Sequence, residues 1–460
     1  MNEKERQWDS FLWLFMKTVL YLSLMGTFVI CMGKESHSLT TLSRTMGIIV
    51  ITFLVVEMLF LSIYGKYDIG RRKSKPIITS LALATFFTDA VTYLELMVMR
   101  TNQPSIYAFR LRSIGWLLLA FTMQVLLIAI FTYLGNELFF VINKPEKTCI
   151  VTSSQKNLDA VMRVISKYKK QYKPEAVFDY HEENILDLIK DYQTVFVYEV
   201  PVKRRTKIIQ YCYNQKKEIY YNPELHDIVE VNAEYYLLDD VSMLNARVKG
   251  LTLEQRFMKR LLDLVIAVPA GLLSLPFGIG AAIAIKCHDG GPVFFKQKRA
   301  TLNGKVFEVY KFRTMKQNVE NKSVQKGDDR ITKPGKFLRK TRIDEIPQLI
   351  NIIKGDMSFV GPRPEMLENV EAYTKKLPEF RYRLRVKAGL TGYAQVSGKY
   401  NTTPKDKLVM DIMYIENYSI LKDIQLIFQT VGVILKPDST EAFNSEENPH
   451  RLIFRPAKKI

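Results

Sequence analysis

The sequence predicts a membrane protein of mixed class, α plus α/β, in which a four-helix transmembrane bundle precedes two α/β regions. Two observations predict this class. Four long apolar runs occupy the first 142 residues, and short apolar strands alternate with amphipathic helices after them. The 460 residues exceed what one core can bury, so several domains are expected. A hydrophobic fraction of 47% excludes a disordered or collagen-like chain.

The polar composition narrows the kinds of site. Four cysteines without CxxC spacing argue against a disulfide framework or a zinc ribbon, and five histidines without an HExxH pair argue against a histidine metal site. Lys and Arg number 66 against 47 Asp and Glu, which gives a formal net charge of +19. Membrane segments and anionic lipid account for such a basic cytoplasmic face, so we predict no nucleic-acid partner.

Residues 1–143 are predicted to form four transmembrane helices. The apolar runs span 11–31, 46–64, 77–99 and 114–142. Lys17 within the first run, the lack of an A-x-A motif and the three later runs argue against a signal peptide. The loop after the second run carries Lys66, Arg71, Arg72, Lys73 and Lys75. The positive-inside rule then places the N-terminus and everything after residue 143 in the cytoplasm.

Residues 144–245 are predicted to form a degenerate Rossmann-like module. Strands are expected at 148–153, 176–180, 194–200, 218–221 and 235–239, with helices near Leu158, Glu182 and Ile208. Such alternation indicates a parallel sheet with helices on its faces. No glycine occurs between Gly135 and Gly250, so the first strand–helix turn cannot let a pyrophosphate approach. We expect a module for assembly or control that binds no dinucleotide.

The apolar segment at 261–285 has two interpretations. It is long enough to span a membrane, but it contains Pro269 and Pro276 and has basic residues at both ends. A crossing would place the basic remainder outside the cell, against the charge rule. A re-entrant helix broken near Pro276, with both ends in the cytoplasm, satisfies the charges. The alternative is a fifth ordinary span with an external C-terminal domain.

A basic block follows at 291–316. Its cations are Lys296, Lys298, Arg299, Lys305, Lys311, Arg313 and Lys316, and only Glu308 opposes them. The block can lie on anionic lipid or bind a polyanionic ligand, and the two interpretations are compatible. Because side chains alternate along a strand, we expect the segment FEVYKF to present cations on one face and aromatics on the other.

The stretch at 338–364 is the most informative for chemistry. Isoleucines recur at helical spacing, and Gly355 follows as a C-cap. Pro347 belongs in a first helical turn, so we expect Asp344 and Glu345 at the helix N-terminus, where anions are favoured. The neighbouring arginines are Arg339, Arg342 and Arg363. An adjacent Asp-Glu pair is most often only a cap, but these arginines and the membrane segment favour a phosphate site.

From Arg256 to Lys436 the chain resembles the bacterial polyprenyl-phosphate sugar-phosphate transferases, the monotopic phosphoglycosyl transferase superfamily. The resemblance rests on the motifs GPVFFKQKR, YKFRTM, RIDEIPQL, KGDMSFVGPRP and AGLTGYAQVSGK. The front end is similar to the long members, which act as undecaprenyl-phosphate glucose or galactose phosphotransferases. The resemblance implies a mainly helical α/β catalytic domain at 246–436, entered by the re-entrant helix at 261–285. A polar tail at 437–460 would follow.

The resemblance also implies roles for single residues. Asp344 aligns with the nucleophile that attacks the β-phosphate of a UDP-sugar and expels UMP, which leaves a phosphosugar–aspartate intermediate. Glu345 aligns with the ligand of Mg²⁺. The residues expected to bind substrate are Arg339, Arg363, Lys399, Lys311, Arg313 and Asp423. Relatives often carry arginine in place of Lys399, and lysine keeps a phosphate contact but loses bidentate geometry.

The implied function is transfer of a sugar 1-phosphate, glucose or galactose, from a UDP-sugar to undecaprenyl phosphate at the bacterial inner (cytoplasmic) membrane. This step would initiate a capsular, exopolysaccharide or O-antigen glycan on the cytoplasmic face. A transferase for another lipid phosphate is the runner-up. A membrane scaffold for polysaccharide export with a decayed catalytic block is the alternative from a different class. The sequence leaves the oligomeric state open, and both a homodimer and polysaccharide-assembly regulators are compatible partners.

Overall fold

The computed structural model describes residues 3–100, 111–246, 250–316, 328–398, 402–434 and 452–456. The chain divides into two compact units, one formed by 1–222 with 446–460 and the other by 223–445. The described residues are mostly helical, with several long apolar helices and one small parallel sheet. At this level the predicted class, a membrane protein with α and α/β parts, is confirmed.

The first unit begins with long apolar helices. They are α1 (Glu3–Gly33), α3 (Arg44–Tyr64), α4 (Ser74–Met99) and α5 (Ile114–Ile142), with the short helix α2 (His37–Thr40) after α1. Each of the four long helices is long and apolar enough to cross a membrane, as is α10 in the second unit. Helix α1 packs against α5, α4 packs against both α3 and α5, and many leucines and isoleucines remain exposed on the outer faces. Such exposure suits lipid rather than water.

The middle of the chain folds into a four-stranded parallel sheet in the order β2-β1-β3-β4. The strands are β1 (Glu146–Thr152), β2 (Tyr172–Asp179), β3 (Thr194–Val197) and β4 (Glu218–Tyr221). The helices between them are α6 (Gln155–Ile165), α7 (Ile185–Leu188) and α8 (Val202–Asn214). On one face Cys149 and Val195 are buried with Ile208 of α8, and on the other Ile150 is buried with Leu158 of α6. The predicted alternation of strands and helices is confirmed for these four strands.

The fifth predicted strand does not join that sheet. Strand β5 (Glu234–Leu238) pairs antiparallel with β6 (Val241–Asn245), because Asp239 adopts a left-handed φ of 53° and turns the chain back on itself. Helix α9 (Leu225–Val231) precedes this hairpin, and its Ile228 is buried in the core of the second unit against Leu408 and Ile412. The prediction of a fifth strand in the parallel sheet is therefore wrong.

Part of the predicted polar tail is packed. Leu452 and Phe454 lie against the cluster around Ile150 and Leu158, and the backbone N–H of Phe454 donates to Oε1 of Gln155 at 2.8 Å. These two apolar side chains explain why this short segment joins the first unit. Most of the tail lies outside the described residues.

Helix α10 (Leu253–Asp289) begins with a capping box, in which Thr252 and Gln255 exchange hydrogen bonds with each other's backbone N–H groups. It passes through Pro269 and Pro276 without interruption. The predicted break near Pro276 is therefore wrong. A proline removes one backbone hydrogen bond, and the bonds of the neighbouring turns suffice to keep the helix continuous. The re-entrant path through the membrane stays a prediction.

Short elements follow α10 in the second unit. They are β7 (Phe294–Ala300), β8 (Val306–Phe312), α11 (Lys333–Lys340), α12 (Gln348–Lys354), β9 (Ser358–Val360), α13 (Leu367–Lys376), β10 (Gly389–Thr391), α14 (Tyr393–Ser397), α15 (Pro404–Glu416) and α16 (Ile420–Ile434). Strands β7 and β8 form an antiparallel hairpin, and β9 pairs in parallel with β10. Ala267 of α10 is buried with Val309 of β8 and Ile352 of α12.

Polar anchors fix α10 to the elements that carry the site. Arg260 donates from Nη1 and Nη2 to the last-turn carbonyls of Ile352 and Ile353, each at 2.6 Å, and so caps α12. Oδ1 of Asp263 accepts from the hydroxyl of Ser358 at 2.9 Å and from the backbone N–H of Phe359 at 2.8 Å. Strand β9 and helix α12 are thereby both attached to α10.

Candidate active site

Asp344 and Glu345 lie in a short 3₁₀ turn, Ile343–Glu345, between α11 and α12. Arg342 precedes the turn with a left-handed φ of 60°, and Pro347 caps the start of α12. The two acids therefore stand just before the helix, in a turn of their own, rather than within its first turn. Gly355 ends α12 with a φ of 90°, which confirms the predicted C-cap.

Cationic side chains contact the carboxylate of Glu345. Its Oε1 accepts from Nζ of Lys311 at 2.8 Å and from Nη2 of Arg363 at 3.0 Å, while Oε2 lies 4.0 Å from Nη1 of Arg342. Burial acts to raise the pKa of Glu345, but Lys311 and Arg363 outweigh it and hold the pKa well below its usual range. The Glu345 charge in turn raises the pKa of the Arg363 guanidinium. Glu345 is therefore ionised at neutral pH.

Asp344 has a different environment from its neighbour. Its side chain is 8% exposed, and its Oδ1 has no hydrogen-bond partner within the described part of the chain. Burial and the adjacent Glu345 charge raise the pKa of Asp344, while Lys311, Arg339 and Arg342 act in the opposite sense. A buried acceptor without a donor is destabilising. The unpartnered Oδ1 of Asp344 therefore lowers the free energy of unfolding of the protein.

Strand β8 delivers Lys311 to the site. Phe307, Val309 and Lys311 share one face of the strand, and the first two are buried against α12. The buried amide of Asn351 on α12 fixes this register, because it donates to the carbonyl of Glu308 at 2.7 Å and accepts from the N–H of Tyr310 at 3.0 Å. The prediction that cations and aromatics occupy opposite faces is wrong, since Phe307 and Lys311 are four residues apart and alternation along the strand puts both on one face.

Arg339 and Arg363 approach the pair from two further elements. Nε of Arg339 on α11 donates to the hydroxyl of Thr314 at 2.8 Å, which orients its guanidinium. Arg363 donates from Nη2 to Glu345, and it donates from Nη1 to Oε1 of Gln395 at 3.1 Å. The backbone carbonyl of Arg363 accepts from Nη2 of Arg383 at 2.9 Å. This hydrogen bond fixes the backbone of the loop that carries Arg363.

The other predicted site residues lie elsewhere or outside the described residues. Arg313 donates to the carbonyl of Pro292 at 2.7 Å and to both carboxylate oxygens of Asp289, so it ties the end of α10 to β8. Asp423 is 1% exposed and accepts from Nζ of Lys259 at 2.6 Å and from the hydroxyl of Tyr414 at 2.7 Å. These contacts bind α10, α15 and α16 together. Lys399 lies outside the described residues.

Arg299, a cation of the basic block at 291–316, lies near the site, although it was not among the residues predicted to bind substrate. It donates from Nη1 to the carbonyl of Pro364 at 3.2 Å, in the loop that carries Arg363, while its Nε has no partner within the described part of the chain. Burial and the neighbouring Arg363 charge lower the pKa of Arg299 to about 10. A cavity lies alongside, lined by Ala300, Pro362, Arg363, Glu365 and Arg383. The motif GPVFFKQKR ends at Arg299, so the sequence did contain a signal for this residue.

The donor atoms of the turn fit a magnesium ion. Magnesium in phosphoryl-transfer sites takes one or two carboxylates and leaves its other positions to phosphate oxygens and water. Glu345 Oε2 supplies such an oxygen, and no group of three or more acidic, histidine or cysteine ligands exists among the described residues. A site completed by the substrate therefore suits this turn better than an all-protein cage.

The comparison with known proteins assigns the family. Residues 254–437 match the family described as bacterial sugar transferase. A UDP-glucose:undecaprenyl-phosphate glucose-1-phosphate transferase of Caulobacter vibrioides is 39% identical over 189 residues, which cover 39% of this chain and 71% of the relative. The chain belongs to the bacterial sugar transferase family. Its members are sugar-phosphate transferases, and the family resemblance seen in the motifs is confirmed.

Two further relatives carry other sugars in their names. A UDP-N-acetylgalactosamine-undecaprenyl-phosphate N-acetylgalactosaminephosphotransferase of Aeromonas hydrophila is 41% identical over 185 residues, 39% of this chain. An undecaprenyl-phosphate galactose phosphotransferase of Salmonella typhimurium is 35% identical over 201 residues, 40% of this chain. The matched regions span 44% and 41% of those relatives. These relatives are therefore named for different sugars.

Proposed function

We propose that the protein transfers a sugar 1-phosphate from a UDP-sugar to undecaprenyl phosphate and releases UMP, with Asp344 as the nucleophile. The contrast between the two adjacent carboxylates carries this proposal. Asp344 is buried with an unpartnered Oδ1, whereas Glu345 has its charge balanced by Lys311 and Arg363. A carboxylate oxygen free of hydrogen bonds, surrounded by cations, is suited to attack a phosphate.

The reaction proceeds in two displacements. Oδ1 of Asp344 attacks the β-phosphorus of the UDP-sugar, and the bond from that phosphorus to the bridging oxygen breaks. The electron pair leaves with UMP, and an acyl phosphate joins Asp344 to the sugar phosphate. A phosphate oxygen of undecaprenyl phosphate then attacks the same phosphorus, and the bond to Asp344 breaks. The products are the undecaprenyl diphosphate sugar and the restored Asp344 carboxylate, so one difficult displacement becomes two easier ones.

The cations around the turn position the diphosphate. Arg339, Arg363 and Arg299 lie on three different elements, so they can bind separate phosphate oxygens and hold the phosphorus in line with Asp344. Glu345 would hold Mg²⁺, which leaves Oδ1 of Asp344 free for the attack. When bound, Mg²⁺ neutralises charge on the diphosphate. Lys311 keeps Glu345 ionised and oriented for this role.

Glucose or galactose is the proposed sugar, and initiation of a capsular, exopolysaccharide or O-antigen glycan is the proposed role. The relatives named for these sugars support the substrate class. We place the catalytic unit on the cytoplasmic face of the inner membrane, since the basic loop after α3 favours that orientation.

UMP release by purified protein in detergent, with Mg²⁺ and undecaprenyl phosphate, tests the activity. UDP-glucose, UDP-galactose and UDP-N-acetylgalactosamine would be compared for wild type, Asp344→Asn and the control Asp329→Asn, which changes an exposed aspartate of the same unit. Release that depends on the lipid carrier should vanish in Asp344→Asn and persist in the control. Silence of folded wild-type protein with every sugar would favour the scaffold.

Exchange of labelled UMP into the UDP-sugar, in the absence of undecaprenyl phosphate, tests the covalent intermediate. A two-step route predicts exchange in wild type and none in Asp344→Asn, because only the acyl phosphate can return the sugar phosphate to UMP. Full transfer activity without any exchange would mean direct displacement and would remove Asp344 as the nucleophile.

A further inference from the structure

A polar cluster lies inside the packed helices of the first unit and has no part in the proposed reaction. Its members are Glu57 on α3, Asp89 on α4 and Gln124 on α5, which are 2%, 3% and 0% exposed. Each stands in the interior of its helix rather than in a terminal turn. Ionisable side chains at such positions are costly in a membrane, and they commonly mark sites that bind ions or protons.

The hydrogen bonds of the cluster join Asp89 to Gln124 and leave most of its acceptor atoms unpaired. Nε2 of Gln124 donates to Oδ1 of Asp89 at 3.1 Å and to the carbonyl of Leu24 on α1 at 3.0 Å. Both carboxylate oxygens of Glu57, Oδ2 of Asp89 and Oε1 of Gln124 are buried without a partner within the described part of the chain. Every one of these unpartnered atoms is an acceptor. The cluster therefore lacks donors.

The cluster also lacks a counter-charge. Helices α3 and α4 contact each other in antiparallel register, with Thr52 hydrogen-bonded to Glu95 and Phe60 stacked on Phe87, and this register places Glu57 opposite Asp89. The ion pairs that the described residues form involve other carboxylates. Among those residues, α1 contributes the backbone carbonyl of Leu24 to the cluster, and α5 contributes the neutral Gln124. Two ionised carboxylates in such surroundings would be strongly destabilising.

We propose that Glu57, Asp89 and Gln124 form a proton-binding site inside the membrane region, in which the two carboxyl groups hold at least one proton at neutral pH. A carboxyl proton supplies the missing donor and removes one negative charge. A divalent metal suits the cluster poorly, because two carboxylates inside apolar helices lack the phosphate oxygens and water that complete a Mg²⁺ site. Polar side chains can also serve only to join helices, but that role requires no protonated acid.

Infrared difference spectroscopy on the full-length protein in lipid vesicles at pH 7 tests this site. The carbonyl stretch of a protonated carboxyl is separate from the carboxylate bands and shifts in heavy water. The spectrum of wild type is compared with those of Glu57→Gln and Asp89→Asn. At least one of the two variants should lack a protonated carboxyl band that wild type shows. The control Glu183→Gln changes an exposed acid outside the apolar helices and should leave the protonated carboxyl bands unchanged.

Two results decide the outcome. Loss of carboxylate bands alone in both Glu57→Gln and Asp89→Asn would mean that both acids are ionised, and a bound cation rather than a proton would neutralise them. That result would overturn the proposal. If either amide variant fails to fold, Glu57→Asp and Asp89→Glu retain the acid, and a shift of the protonated band in one of them would support the site. Unchanged protonated bands in both would contradict it.

Discussion

At the scale of single residues, two neighbouring acids of one turn have opposite environments. Successive side chains of a 3₁₀ turn point about 120° apart, so Asp344 and Glu345 face different neighbours. Glu345 meets Lys311 and Arg363, whereas Oδ1 of Asp344 meets no donor among the described residues. The difference in partners, rather than in residue type, separates the proposed nucleophile from the proposed metal ligand.

Replacement of Arg363 tests the cation beside this pair. Arg363→Lys keeps the charge but cannot donate to Glu345 and Gln395 at once in the same geometry. One charged hydrogen bond contributes about 1.5–3 kcal/mol, so we expect kcat/KM for UMP release to fall roughly ten- to hundredfold. Arg381→Lys, an exposed change in the same unit, is the control. A rate equal to wild type would show that the reaction does not need the two-partner geometry of the Arg363 guanidinium.

Asp423 is expected to matter for stability through its buried pair with Lys259. Asp423→Asn leaves the Lys259 ammonium buried beside a neutral group, which should cost about 3–5 kcal/mol and lower the thermal inactivation temperature in detergent. Because the damage is the unpaired charge, the double change Lys259→Met with Asp423→Leu should recover much of that loss. A variant Asp423→Asn that stays as stable as wild type but loses turnover would instead restore Asp423 to substrate binding.

At the scale of elements, the site depends on short segments that contact through their backbones. The backbones of β9, β10 and their loops approach closely at Gly361, Gly389 and Gly392, because glycine has no side chain to separate them. A Cβ on Gly361 would lie 2.3 Å from the carbonyl oxygen of Lys387. The loop that carries Arg363 begins at this contact, so glycine at 361 sets where the arginine can reach.

Gly361→Ala is therefore expected to separate β9 from β10 and displace Arg363. Both the thermal inactivation temperature and the rate of UMP release should fall, since backbone atoms cannot move aside as a flexible side chain can. Gly280→Ala is the matched control, because its Cβ would meet nothing within 4 Å and alanine favours the helix. Equal effects of the two changes would contradict the packing argument.

At the scale of the whole molecule, the path of α10 decides on which side of the membrane the catalytic region lies. Cys287 near its end is exposed, whereas Cys31, Cys149 and Cys212 are buried, so Cys287 is a natural reporter for an impermeant maleimide. A re-entrant helix predicts labelling from the cytoplasmic side both at Cys287 and at Glu254→Cys in a Cys287→Ser background. Labelling of the two positions from opposite sides would establish a fifth span.

Much of the architecture could be predicted because hydrophobic periodicity is a local property. The predicted apolar runs lie within α1, α3, α4 and α5, and four predicted strands occur in the parallel sheet. Predictions failed where a distant contact or a local turn outweighed the pattern. The turn at Asp239 diverted β5 into a hairpin, and the bonds of neighbouring turns carried α10 through Pro276.

For the site, the motifs identified the acids and several of their cations, because residue type and spacing along the chain are visible in the sequence. Only the tertiary structure decided which cations reach Glu345, that Asp344 keeps an unpartnered oxygen, and that Asp423 pairs with Lys259. The sequence by itself determined the family and the membrane character, since both follow from motif and apolar length. Partnership between residues far apart in the chain depends on packing, which brings β8, α12 and α10 together.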